Sequence, residues 1–270
     1  MKTICKRHGG KHYLAPWIVS NFPDRRTWHL YREPYFGGGS VLFEQDPDGI
    51  SEAVNDKDTI LTSMWDCIRD ASLYPEFARR VSLTPFSEIE FDRATETLRD
   101  PNISAMDKAV ACFIRARQSR QGIGVDYATP TKRLRRRMHE NVSAWLSAVE
   151  RLPEVHERIK RVEIRSLEAC EFIRMYDNPQ AFFYCDPPYL QDTRSAPEVY
   201  EYEMTHKDHC RLLNTLSQIK GKFMLSGYYS SLYNGNATAY GWRRLEKIID
   251  NKASSKKEKD KKVECIWMNY

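Results

Sequence analysis

The sequence predicts an α/β fold, a Rossmann-like sheet carrying an inserted, mostly helical module. Three observations carry this expectation. Strand-like runs alternate with helical spacing at both ends of the chain, a glycine break follows the first strand, and the alternation lapses from about Asp70 to Lys160. With 270 residues, 41% of them hydrophobic, the chain is long enough for one core and one inserted module.

Thr27 to Glu33 is rich in strand formers and runs into Pro34-Tyr35-Phe36-Gly37-Gly38-Gly39-Ser40, a break that can open a new element. Ser51 to Asn55 reads as a second strand. Ile60, Leu61, Met64, Trp65 and Ile68 then fall at helical spacing. The polar stretch that follows contains helix-like segments at Ser104 to Ala116 and Val142 to Leu152, with Gly122-Ile123-Gly124 as a turn between arginine-rich flanks. Strand-like runs resume at Val162 to Ile164, Ala181 to Cys185 and Lys222 to Ser226, with a helix expected over Lys207 to Gln218. A Lys-rich loop, Asn251 to Lys262, precedes a final strand, Val263 to Met268. The expected division is therefore 1–69 and 161–270 as the body, with 70–160 as the insertion.

No stretch approaches eighteen apolar residues and 29% of residues are charged, which excludes a membrane span. The N-terminal residues lack the apolar segment of a secretory signal, so the expected location is the cytosol. Seven cysteines without a C-x-x-C pair read as reduced thiols. The net charge is only +5, yet Arg115 to Arg137 holds eight basic residues against one acid. Such a concentration can neutralise phosphates, although a solvated helix face carries similar charge.

Two features suggest chemistry. Glycines at a strand end let backbone approach a ligand closely, and Asp56, at the expected end of the next strand, is placed to accept hydrogen bonds from both hydroxyls of an adenosine ribose. The sharper signal is Asp186-Pro187-Pro188-Tyr189 directly after the apolar strand. Two prolines stiffen the segment and remove two donors, leaving carbonyls that suit an amino group. The flanking carboxylate and aromatic ring would meet an exocyclic amine and stack on the base that bears it.

On these residues the chain resembles the D12-class, DNA adenine methylase family of S-adenosylmethionine-dependent N6-adenine DNA methyltransferases. Gly9-Gly10-Lys11 resembles its N-terminal cofactor motif, Glu33 to Ser40 its methionine-binding loop, Asn55-Asp56 its ribose-binding acid, and Asp186 to Tyr189 its catalytic tetrapeptide. Glu171-Phe172 stands where the family usually has Asp-Phe against the cofactor adenine. Ser226-Gly227-Tyr228 and Glu264-Cys265-Ile266-Trp267 look like further landmarks. The resemblance implies catalysis by Asp186, Pro187, Pro188 and Tyr189. It implies cofactor contacts at Lys11, Tyr35, Phe36, Gly37, Gly38, Gly39, Ser40, Asp56, Glu171, Phe172 and Asp186. Tyr35 and Phe36 can equally be packing residues. The insertion lies where the family carries its target-recognition domain, so double-stranded DNA is the implied partner, in a bacterial or phage-infected cytoplasm. A monomer is compatible with this.

The expected DNA contacts are Arg115, Arg117, Ser119, Arg120 and Gln121 around the glycine turn, and Lys132, Arg133, Arg135, Arg136 and Arg137, which are otherwise one solvated helix face. The expected transfer needs no metal. Proton acceptance at Asp186 and the Pro187 carbonyl would localise the adenine amino lone pair and aim it at a sulfonium methyl. Cytosine C5 methylation would need a Pro-Cys nucleophile, which the chain lacks, and Cys185 reads as core. His206, His209 and Cys210 have no fourth ligand spaced for zinc. The alternatives are an RNA or protein amide methyltransferase and a binding or regulatory protein that keeps only the fold.

Overall fold

The computed structural model describes residues 1–7, 9–129, 131–193, 202–250 and 261–270. In chain order the elements are α1 (Ala15–Ser20), β1 (Leu30–Glu33), β2 (Ser51–Asn55), α2 (Thr59–Arg69), α3 (Tyr74–Leu83), α4 (Glu88–Thr97), α5 (Ala105–Gln118), β3 (Leu134–Arg135), β4 (Met138–His139), α6 (Glu140–Val149), α7 (Leu152–Ile159), β5 (Glu163–Arg165), α8 (Ala169–Tyr176), β6 (Ala181–Cys185), α9 (His206–Leu216), β7 (Lys222–Tyr228), α10 (Ser231–Tyr240), β8 (Arg243–Asp250) and β9 (Lys261–Met268). The chain forms the expected α/β fold.

Compactness divides it into one unit of residues 1–20, 37–46 and 58–166 and another of 21–36, 47–57 and 167–270. This grouping follows packing, and it differs from the expected 1–69, 70–160 and 161–270.

In the second unit the strands run β2-β1-β6-β7-β9-β8. Pairs β1–β2, β1–β6 and β6–β7 are parallel, whereas β9 is antiparallel to both β7 and β8. The chain leaves β1 for β2 on one side and returns as β6 on the other, which makes the β1–β6 boundary a topological switch point. Alternation decides what each face buries. Phe183, Cys185, Phe223, Leu225, Cys265 and Trp267 join the core with leucines of α9 and Tyr233 of α10. Phe182 turns the other way, its ring 4.6 Å from Phe22 and 5.1 Å from Trp28. Helix α9 starts in a capping box between Thr205 and Asp208, which satisfies donors its first turn would otherwise leave open.

The first unit is mainly helical. Asp58 accepts from the Ile60 and Leu61 amides to cap α2, and α5 buries Phe113 between Phe77 and Trp145 at 5.8 and 5.4 Å. The single helix expected over Val142 to Leu152 is two, α6 and α7, because Pro153 belongs in the first turn of a new helix, where its missing N–H costs nothing. The helix face that is the alternative reading of Lys132 to Arg137 is not formed, since Leu134 to His139 make the β3–β4 hairpin. Strand β8 and helices α1, α3, α4, α8 and α10 had no clear signal in the sequence. Of the expected loop, residues 251–260 lie outside the described residues. All seven cysteines are free thiols, and Cys185 is fully buried. Among the described residues no helix is long and apolar enough to cross a membrane.

Candidate active site

The C-terminal ends of β1 and β6, neighbours at the switch point, concentrate polar groups in the second unit. Strand β6 is buried along its whole length and delivers Asp186 half-buried, Pro187 buried, Pro188 half-buried and Tyr189 6% exposed. The Tyr189 hydroxyl donates to Oε1 of Glu264 on β9, and its ring meets the edge of Tyr228 at 4.7 Å and 77°. Burial, followed by the negative Glu264, pushes the Tyr189 phenol well above its ordinary range, so it stays protonated as a donor. Beside it the Tyr184 hydroxyl pairs with Ser226 Oγ at 3.0 Å.

At the end of β1, Tyr31 donates to Glu33 Oε2 at 2.9 Å. Glu33 is only 2% exposed. Burial raises its carboxyl well above the ordinary range against the opposing Tyr31 bond, and the charges of Asp186, Glu52 and Asp56 raise it further. Glu33 thus sits among carboxylates, where a further buried charge is costly and the protonated form is favoured.

At the end of β2, Asn55 joins two loops. Its Nδ2 donates to the carbonyls of Pro34 and Leu167, both at 3.1 Å, and its Oδ1 accepts from the Leu167 amide at 2.7 Å. The Phe36 amide returns to the Asn55 carbonyl at 2.9 Å. The next residue, Asp56, is half-buried. On α8, Glu171 is exposed, whereas Phe172 is fully buried against Tyr176. Phe36 is buried as well, and the partly buried Tyr35 packs against the core.

In the first unit Gly37 and Gly39 have φ of 50° and 69°, in the left-handed region that glycine enters without strain. A Cβ on Gly38 would come within 3.1 Å of the Cys5 carbonyl. Trp65 Nε1 donates to the Gly37 carbonyl at 3.1 Å and Thr3 Oγ1 donates to that of Gly38, which fixes the loop. Ser40 follows, half-buried. Lys11 is buried, its Nζ on the Gly9 carbonyl at 3.2 Å.

The expected DNA contacts separate into two groups. Arg117 turns inward onto the Ala144 carbonyl at 2.5 Å, and burial pushes its guanidinium down to about 10. Ser119 is fully buried, and Arg115 is half-buried alongside Gly124. Arg120 and Gln121 are exposed in a turn that Gly122 seats against the N-terminal segment, where an added Cβ would fall 2.6 Å from the Lys6 carbonyl. Lys132, Arg133, Arg135, Arg136 and Arg137 are all exposed on the hairpin. Arg136 and Arg137 form its tip with φ of 54° and 60°, a two-residue turn that ordinarily takes Asn-Gly. Arg136 also grips Glu150 through two bonds of 3.0 Å.

Sequence reasoning missed the roles of Asn55, Glu33 and Glu264. Glu264 did leave a signal, a lone carboxylate inside the apolar run Val263 to Met268. Residues 8–256 match the family of D12 class N6 adenine-specific DNA methyltransferases, and the chain belongs to that family. It is an adenine-specific DNA methyltransferase. No curated protein matches the chain.

Proposed function

We propose, with the D12 class as premise, that this chain transfers the methyl group of S-adenosylmethionine to N6 of an adenine flipped out of double-stranded DNA. The observation that carries the reading is the stiff Asp186-Pro187-Pro188-Tyr189 segment at the end of a fully buried strand beside a switch point. Asp186 and the Pro187 carbonyl would accept hydrogen bonds from the two amino N–H groups, which returns the nitrogen lone pair from the ring. One of those protons leaves N6 once the methyl is attached, and Pro188 keeps the segment rigid. Tyr189 stacks on the extruded base.

The residues present suit the cofactor. Beside Gly37 an added Cβ would meet nothing within 4 Å, a clear space that suits the methionine end, and the half-buried Asp56 carboxylate suits two ribose hydroxyls. Lys11, Tyr35, Phe36, Gly38, Gly39, Ser40, Glu171, Phe172 and Asp186 complete the proposed set. When bound, the cofactor supplies an electrophilic methyl on sulfonium. Residues 70–160 take the target-recognition role. A two-stranded ribbon fits the major groove, and the left-handed Arg136 and Arg137 hold a strained backbone that a turn made only for stability would avoid. Arg120, Gln121, Lys132, Arg133 and Arg135 extend that surface, whereas Arg117 and Ser119 support it from within. The proposed setting is a bacterial or phage-infected cytoplasm.

The test is Asp186→Ala, assayed by transfer of labelled methyl to an adenine-containing duplex and by calorimetric titration with S-adenosylmethionine. Transfer should fall by at least about a hundredfold while cofactor affinity is kept. Transfer at the wild-type rate in that variant rejects the mechanism.

A further inference from the structure

Glu264 occupies the middle of β9, between Val263 and Cys265, and is 2% exposed. A carboxylate in such a place is costly unless it is paired and hydrogen-bonded, and an apolar pair of the same size would pack there at no such cost. Stability alone therefore does not account for it. It accepts from the Tyr189 hydroxyl, 75 residues away in sequence. The strand register sets Tyr228 directly across from Glu264, and Tyr228 in turn meets the Tyr189 ring edge-on at 4.7 Å. Lys262 Nζ lies 4.6 Å from the centre of the Tyr228 ring and holds that ring in turn.

Tyr189 is thus fixed at both ends, by the proline-stiffened backbone at its Cα and by Glu264 at its hydroxyl. A phenylalanine in the same place would keep the ring packing against Tyr228 but lose the anchor at its hydroxyl end. We infer that Glu264 is a positioning residue that fixes the plane of the Tyr189 ring, and through it the angle at which a stacked adenine presents N6. The inference rests on the proposed stacking role of Tyr189. A plane tilted by a fraction of an ångström at N6 spoils in-line transfer without weakening cofactor binding, since misplacement near 1 Å can cost about a hundredfold in rate.

The experiment compares the wild-type enzyme with Tyr189→Phe, Glu264→Leu, Glu264→Gln and the double variant Tyr189→Phe/Glu264→Leu. It measures kcat and KM on an adenine-containing duplex, affinity for S-adenosylmethionine by calorimetry, and the melting temperature. Tyr189→Phe and Glu264→Leu should each lower kcat by roughly tenfold to a hundredfold with unchanged cofactor affinity. Glu264→Gln keeps an acceptor oxygen in place and should recover most of the rate. In the double variant the losses should fall short of multiplying, because the Tyr189–Glu264 bond is already lost in each single variant. A structural role alone would lower the melting temperature and leave kcat per folded enzyme unchanged. If Glu264→Leu does not fold, Tyr189→Phe and Glu264→Gln still decide the matter. Wild-type kcat in folded Tyr189→Phe, or losses that multiply, overturns the positioning role alone. A wild-type enzyme that leaves adenine unmodified overturns the functional reading and this inference with it.

Discussion

Asn55 links the loop leaving β1 to the segment entering α8, so its removal measures how much of the site depends on one buried amide. The side chain is 1% exposed and makes three hydrogen bonds, to Pro34 and twice to Leu167. In Asn55→Ala each lost bond costs about 1 kcal/mol net, and the two carbonyls and one amide left behind add to this if water does not reach them. The expected loss is about 3 kcal/mol, rising toward 5 if the groups stay dry. With a urea slope of about 3 kcal/mol per molar for a chain of this size, the unfolding midpoint should fall by about 1 M. Asn55→Asp keeps the acceptor for the Leu167 amide but turns a carboxylate toward two carbonyls, and should be at least as destabilising at neutral pH. Urea unfolding followed by far-ultraviolet dichroism is the assay, with S-adenosylmethionine titration of the folded variant beside it. A midpoint shift below about 0.2 M would show that the two loops hold together without this amide and would refute the reasoning.

The hairpin offers a separate test, since replacing Arg136-Arg137 by Asn-Gly puts residues suited to the left-handed turn at its tip. The hairpin should persist while the slope of log affinity against log salt falls by about 0.9 for each phosphate no longer neutralised, and an unchanged slope with the hairpin amides still protected would place the phosphate-binding groups elsewhere. Glu33 gives a pH prediction. Burial holds its folded pKa above the ordinary 4.5, so above that pH the unfolded chain releases a proton that the folded one keeps, and wild-type stability falls as pH rises until the folded value is passed. Glu33→Gln should flatten this decline in melting temperatures recorded from about pH 4 to about pH 8, and an unaltered profile would mean that Glu33 ionises in the native protein.

Local chemistry makes several features legible in the sequence itself. Strands Ser51–Asn55 and Ala181–Cys185 appear with the expected bounds, because each is a short run closed by an Asp, and the second is rich in aromatic residues, signals that are read within a few residues. The tetrapeptide after β6 is legible for the same reason, since the prolines that stiffen it are its own. What tertiary structure decided were partnerships between distant residues, to which no local period is sensitive. Tyr189 meets Glu264 across 75 positions and Asn55 meets Leu167 across 112. Charge misled in the same way at Arg117, a cation that reads as surface until α6 packs its Ala144 carbonyl against the guanidinium. The arginine run at 132–137 looked helical because arginine is a good helix former and a poor left-handed residue, yet pairing of Leu134 with His139 and Arg135 with Met138 forces the two residues between them into a left-handed turn. Sequence alone determined which groups could do chemistry, because reactivity belongs to side chains. The fold decided which of them are buried, paired and aimed, because those properties belong to the space between strands.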